Sequence, residues 1–178
     1  MHAKKWWMLV INILGGAAVL GSYAVGLQTH PGGGDALWGG VPEGVRLFST
    51  AGMFLAAAGY FAFTYFLLFR LDPRTTHLSD SIGFGIFNAL YAAILIPSAL
   101  WMPLTFLALE RSSQALLWAV RLDLVLVALA SLGLLIALLI VQPRQPTWAI
   151  RLAIAGSVGF CLQTVLLDSI IWSAFFRL

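Results

Sequence analysis

Charge and cysteine are what this sequence has least of. Of its 178 residues only 10% are Asp, Glu, Lys or Arg, against about 25% in an ordinary soluble domain. Such a chain cannot clothe a globule in hydrated groups. A soluble enzyme, a nucleic-acid-binding protein and a disordered regulator are excluded together. The lone Cys161 excludes an intrachain disulfide and a cysteine-rich metal site. His2, His30 and His77 are scattered, with no His-x-x-x-His pair, so no protein-bound metal is expected. All three lie outside the apolar runs, and no Ser-His-Asp arrangement is suggested. No catalytic centre is expected.

Apolar residues make up the rest. They account for 61% of the chain, and the mean hydropathy is +0.93. A spanning helix needs about 20 mainly apolar residues, and five runs supply them, at about 6–27, 47–69, 82–109, 115–141 and 152–176. A barrel would instead show segments of about 10 residues alternating in polarity. The expected fold is therefore all-α, a single domain of five transmembrane helices. The first run follows Lys4 and Lys5 as a signal peptide would, but it is too long for a signal core. It is read as the first span.

An odd number of spans puts the termini on opposite faces. With the amino terminus inside, that face collects Lys4, Lys5, Arg70, Arg74, Arg144 and Arg151. The other collects Arg46, Arg111, Arg177 and, within its helix, Arg121. Basic residues favour the cytoplasmic side, so an integral membrane protein with a cytoplasmic amino terminus is expected. The net charge of +3 reflects this flanking, not an anionic partner.

In lipid, apolar surface does not drive helices together, and small residues that let backbones approach matter more. Small-xxx-small pairs stand at Ala17/Gly21, Gly52/Ala56, Gly133/Ala137 and Ala155/Gly159; packing within the chain is favoured over a dimer face. Short loops would lay consecutive helices antiparallel. Pro97 and Pro103 flank Trp101 in the third run, where each removes a backbone donor and favours a kink. Such a kink either shapes a cavity or leaves an irregularity in packing.

Ionisable residues inside spans are costly and mark function or pairing. Here they are Arg121, Asp123 and Asp168. Counted from the outer helix ends at about 1.5 Å per residue, Arg121 lies roughly 9 Å deep, and Asp123 and Asp168 roughly 12 Å. Trp101 falls at a similar level. An Arg121–Asp168 pair is geometrically open to antiparallel neighbours, and Arg121 could equally snorkel to the headgroups. The inner half offers only Asn12, Asn88, Tyr91 and uncharged neighbours, so a proton-conducting path is not expected. The 28–46 loop, with Gly32–Gly34, Trp38 and Pro42, reads either as a flexible connector or as a lid over this layer. Its glycines lack the strand and lysine of a phosphate loop.

The third run carries a resemblance. Tyr91, Leu95, Trp101, Pro103 and Phe106 stand at the spacing of the third helix of the TspO/MBR family, the tryptophan-rich sensory or translocator proteins. Ser98 stands where that family has Asn, and Ile94 where it often has Gln. Phe160 and Asp168 resemble in spacing a family Trp and Asn. The second helix keeps a leading Pro42 but lacks the family's tryptophans, Phe48 and Phe54 being the nearest aromatics. The tail after Phe176 has no cholesterol-recognition consensus. The resemblance implies a pocket in the bundle, closed by the first loop, for flat apolar molecules such as porphyrins or sterols, and a homodimer.

A membrane receptor or carrier for a hydrophobic planar ligand, with a non-covalently held tetrapyrrole as the candidate, is therefore the leading expectation. Its candidate site comprises Trp38, Phe48, Phe54, Tyr91, Ser98, Trp101, Phe106, Arg121, Asp123 and Asp168. The alternative is a small accessory subunit of a respiratory or photosynthetic membrane complex. A small transporter is disfavoured because neither repeats nor broken helix pairs are seen.

Overall fold

A computed structural model describes residues 2–178. Five long helices carry the fold: α1 (Ala3–Thr29), α3 (Glu43–Tyr65), α4 (Gly85–Arg111), α5 (Gln114–Ile140) and α6 (Thr147–Cys161). A one-turn helix, α2 (Gly33–Ala36), lies in the first loop. α3 continues as a π-turn over Phe66–Arg70. α6 continues at π spacing over Leu162–Trp172 and closes with Ser173–Phe175. With these extensions, all five are long and apolar enough to cross a membrane. The described residues contain no strand, only isolated bridges of His77 with Gly83 and Gln142. The all-α expectation holds. The helices overrun the apolar runs by a few residues at most ends, because backbone groups at a span's end still need partners. The third starts later, at Gly85, since Gly83 bridges His77 and the Ile82 carbonyl accepts the Leu78 N–H.

Capping explains several boundaries. The Ser113 hydroxyl accepts the Leu116 N–H at the start of α5 (3.4 Å), and Ser112 ends α4 in the left-handed region at φ 46°. Two residues thus reverse the chain between α4 and α5, which pack antiparallel.

Packing runs along an open arc: α1 on α4, α4 on α5, α5 on α6, and α6 on α3. Consecutive position in the chain predicts neighbours only where loops are short. α1 and α3, joined by the long loop, scarcely approach each other. They share a bond at the end of the bundle remote from that loop, where Tyr60 Oη–H donates to Asn12 Oδ1 at 2.6 Å.

Small residues make the closest crossing. On α3 the buried positions are Ser49, Gly52, Ala56, Gly59 and Phe63, mostly small, while Phe48, Phe54 and Phe61 point outward. Gly59 meets Gly156 of α6 backbone to backbone. A methyl on Gly156 would meet the Gly59 Cα and carbonyl oxygen at 2.8 Å. Gly52/Ala56 and Gly133 with Ala137 likewise face inside, but Ala17 and Gly21 are exposed. The main core, built on Phe63, Phe66, Phe84, Phe87, Tyr91 and Leu134, fills the half remote from the loop. The half beneath the loop holds the ionisable residues of the spans, Arg121, Asp123 and Asp168.

A candidate site beneath the first loop

The layer expected from depth is present, with a membership different from the one expected. Trp101 of α4 packs edge-on against Trp172 of α6 (5.8 Å between ring centroids) and at a tilt against Tyr23 of α1 (5.9 Å). Asp123 of α5 is buried in the same half, and Tyr23 stands within electrostatic reach of both Asp123 and Asp168. Gln163 Nε2–H donates to Asp168 Oδ1 at 2.7 Å. That bond depends on the π ladder. In a 3.6-residue helix, positions five apart lie about 140° apart around the axis, whereas i→i+5 bonding brings them to one face.

Besides Arg121 Nε, three side-chain atoms in this half are buried without a hydrogen-bond partner: Trp101 Nε1, Asp123 Oδ2 and Gln163 Oε1. A buried polar group left unpaired costs about 1–3 kcal/mol. One such atom is ordinary; three from three helices around one aromatic layer mark a place where a partner belongs.

Arg121 does not join them. Its guanidinium lies over the exposed Trp118 ring, 4.8 Å from the centroid, and its Nε has no partner. It borders an open cleft of about 330 Å³ between the start of α5 and the carboxyl-terminal residues Phe176–Leu178. The Arg121–Asp168 pair that the spacing left open does not form, and Gln163 holds Asp168 instead. Two residues from Asp123, Arg121 is turned to the bundle's side, where an aromatic face and water both suit a guanidinium.

Other expected site residues lie elsewhere. Phe48 and Phe54 are 72% and 74% exposed on the outer surface of α3. They lie there because that helix turns its small residues inward. Tyr91 is fully buried but sits about 15 Å below Trp101, ten residues down the helix. It bonds Thr64 Oγ1 at 2.7 Å and packs with Tyr60 and Phe63. Ser98 donates to its own helix, at the Ile94 carbonyl (2.7 Å), as hydroxyls in apolar helices commonly do. Tyr23, Gln163 and Trp172 were not anticipated. Gln163 was the readable signal, a lone amide in an apolar run.

The 28–46 loop is a folded cover. Leu37 and Val41 are buried and Trp38 half-buried, packed on Trp101, Met102, Phe106, Trp172 and Phe176. Trp172 Nε1–H donates to the Leu37 carbonyl at 2.8 Å. Gly39 adopts φ 50° with its Cα against Phe176, a place where a side chain would be both strained and obstructed. Arg46 Nε–H closes the segment on the Val41 carbonyl at 2.9 Å. At the other edge, His30 stacks on Phe106 (4.0 Å, 2° between planes) and meets Glu110 at 2.9 Å.

The hydrogen bond with Glu110, followed by that with the Gly26 carbonyl, raises the pKa of His30 above its ordinary value. A raised folded-state pKa means the tie is at full strength below about pH 6.5 and is lost as pH rises through the higher value. Amide exchange of residues 30–37, corrected for intrinsic rates, should accelerate across that window in the wild type. In Glu110→Gln it should be flat.

No cluster of three or more His, Cys, Asp or Glu side chains able to hold a metal occurs among the described residues. No family model, curated protein or solved structure matches this chain.

Proposed function

We propose that the protein is a multi-pass membrane receptor or carrier for a hydrophobic, planar molecule of porphyrin- or sterol-like shape, held beneath the 28–46 cover. The observation that carries this reading is the set of unpartnered buried atoms, Trp101 Nε1, Asp123 Oδ2 and Gln163 Oε1, within an aromatic layer. Such a combination of apolar walls and few polar groups is what small-molecule sites use. The proposal includes kinship with the TspO/MBR family, for which the spacing of Tyr91, Leu95, Trp101, Pro103 and Phe106 speaks. It also includes a cytoplasmic amino terminus, for which the basic residues Lys4, Lys5, Arg70, Arg74, Arg144 and Arg151 speak.

The test is tryptophan-fluorescence quenching of the detergent-purified chain by protoporphyrin IX, with inner-filter controls. Saturable quenching is expected, with affinity about tenfold lower in Trp101→Ala, the loss of one well-packed aromatic contact. Unsaturable quenching, identical in the variant, would mean partitioning into the micelle. The accessory-subunit reading would then take its place, and copurification of fixed partner subunits would be its sign.

A further inference from the structure

The end of the bundle remote from the cover carries a second cleft, of about 500 Å³, between the start of α1 and the end of α3. Lys5, Arg70 and Arg74 line it against one carboxylate, Asp72, and His2 completes its polar rim. Asp72 Oδ1 accepts the Arg74 backbone N–H at 3.0 Å, which closes the turn after α3. Among the described residues no ion pair joins Asp72 to any of the three cations. Lys5 is half-buried, so neither full hydration nor a carboxylate offsets its charge. Leu71, buried, and Leu68, half-buried, give the cleft an apolar side.

The π-turn Phe66–Arg70 gives Arg70 its place. The Leu71 N–H reaches back to the Phe66 carbonyl at 3.0 Å, and this i→i+5 ladder brings Arg70 onto the face of Tyr65, five residues earlier. Its guanidinium lies 5.4 Å from the centroid of the Tyr65 ring and 5.3 Å from that of Trp148 on α6. The Nε–H donates to Tyr65 Oη at 2.9 Å, and the two terminal NH2 groups have no partner among the described residues. Two aromatic rings and one hydrogen bond thus fix the fork while its donating ends stay free. A guanidinium held in this way loses little freedom on receiving a phosphate.

Position along the spans selects what carries that phosphate. Arg70 is the last residue of its span and Lys5 the third of another, so these cations stand at headgroup level. Trp6, Trp7 and Trp148 are exposed at the same end, as tryptophans of a membrane interface are. Phe69 lines the cleft and is 70% exposed. A free anion would use the cations alone, whereas a phospholipid also covers Leu68 and Phe69.

We infer that this cleft is a binding site for an anionic phospholipid, whose phosphate the free ends of Arg70 take beside Lys5 and Arg74, and whose acyl chain lies along Leu68 and Phe69. Three cations against one carboxylate favour a headgroup with no positive charge of its own over a zwitterionic one. The inference is independent of the site beneath the cover, which lies at the other end of the bundle.

The experiment places the full chain in phosphatidylcholine vesicles with rising fractions of phosphatidylglycerol brominated in its acyl chains. Tryptophan quenching is read against the same series in brominated phosphatidylcholine. The wild type should show a saturable component with about tenfold preference for phosphatidylglycerol. Arg70→Gln should lower that preference about fivefold, the share of one basic residue at the membrane surface. Arg144→Gln removes the same charge at the same end but outside the cleft, and should leave the preference unchanged. If Arg70→Gln does not insert, Arg74→Gln, exposed in the turn beyond the span, is the second variant with the same expected loss. Equal loss in the Arg70 and Arg144 variants would reduce the preference to a diffuse field and overturn the site, as would equal quenching by the two lipids. Displacement of phosphatidylglycerol by millimolar inorganic phosphate at constant ionic strength would assign the cleft to the free anion and overturn the lipid.

Discussion

A leucine at Gly59 is expected to split the bundle along its α3–α6 seam. A Cβ there would collide with the Gly156 carbonyl, which is backbone and cannot rotate away. Overpacking usually costs about 1–3 kcal/mol where side chains can shift. Here only helix separation gives relief, so the cost should reach about 3 kcal/mol or more. The same leucine at Gly21, where an added Cβ meets nothing within 4 Å, should leave stability unchanged. Denaturation by SDS, followed by circular dichroism and gel mobility, compares the two. Equal loss at both positions would mean that α3 and α6 do not cross as described.

The second large effect concerns the cover. Trp172 joins the aromatic layer to the loop: its ring stacks on Phe176 at 4.2 Å, meets Trp101 edge-on, and its N–H holds the Leu37 carbonyl. Trp172→Ala removes all three contacts and should cost about 3–5 kcal/mol, as buried tryptophan truncations do. Trp172→Phe keeps much of the stacking surface and loses the hydrogen bond, for about 1 kcal/mol. Hydrogen exchange should register both losses as faster exchange at residues 33–41, with little change at residues 60–66 in the opposite half. Uniform acceleration across the bundle would show that the cover is inseparable from the core.

The contrast between the two halves bears on what the sequence made legible. Hydropathy fixes the existence and approximate ends of five spans, because lipid leaves a backbone no alternative to pairing within its own segment. Depth is also legible, being a count of residues, and it brought Trp101, Asp123 and Asp168 to one level. Direction around each helix was not. A regular 3.6-residue count fails through Leu162–Trp172, where the ladder widens, and it cannot reveal that Gln163 and Asp168 share a face. The aromatics of α3 misled for a different reason. In water a large aromatic belongs inside, but a helix packed through Gly52, Ala56 and Gly59 leaves Phe48 and Phe54 to the acyl chains. Which helices adjoin one another was also out of reach, since a 19-residue loop span such as 28–46 allows α1 and α3 to lie apart.

The bond between Trp172 and Leu37 joins positions 135 residues apart, and this sets an order on the birth of the protein. The loop leaves the ribosome well before the indole that fastens it, which belongs to the far turns of α6. Every helix must be inserted and α6 docked before the cover has anything to hold. Until the turns that carry Trp172 are in place the layer beneath the loop stands open, and that indole closes it.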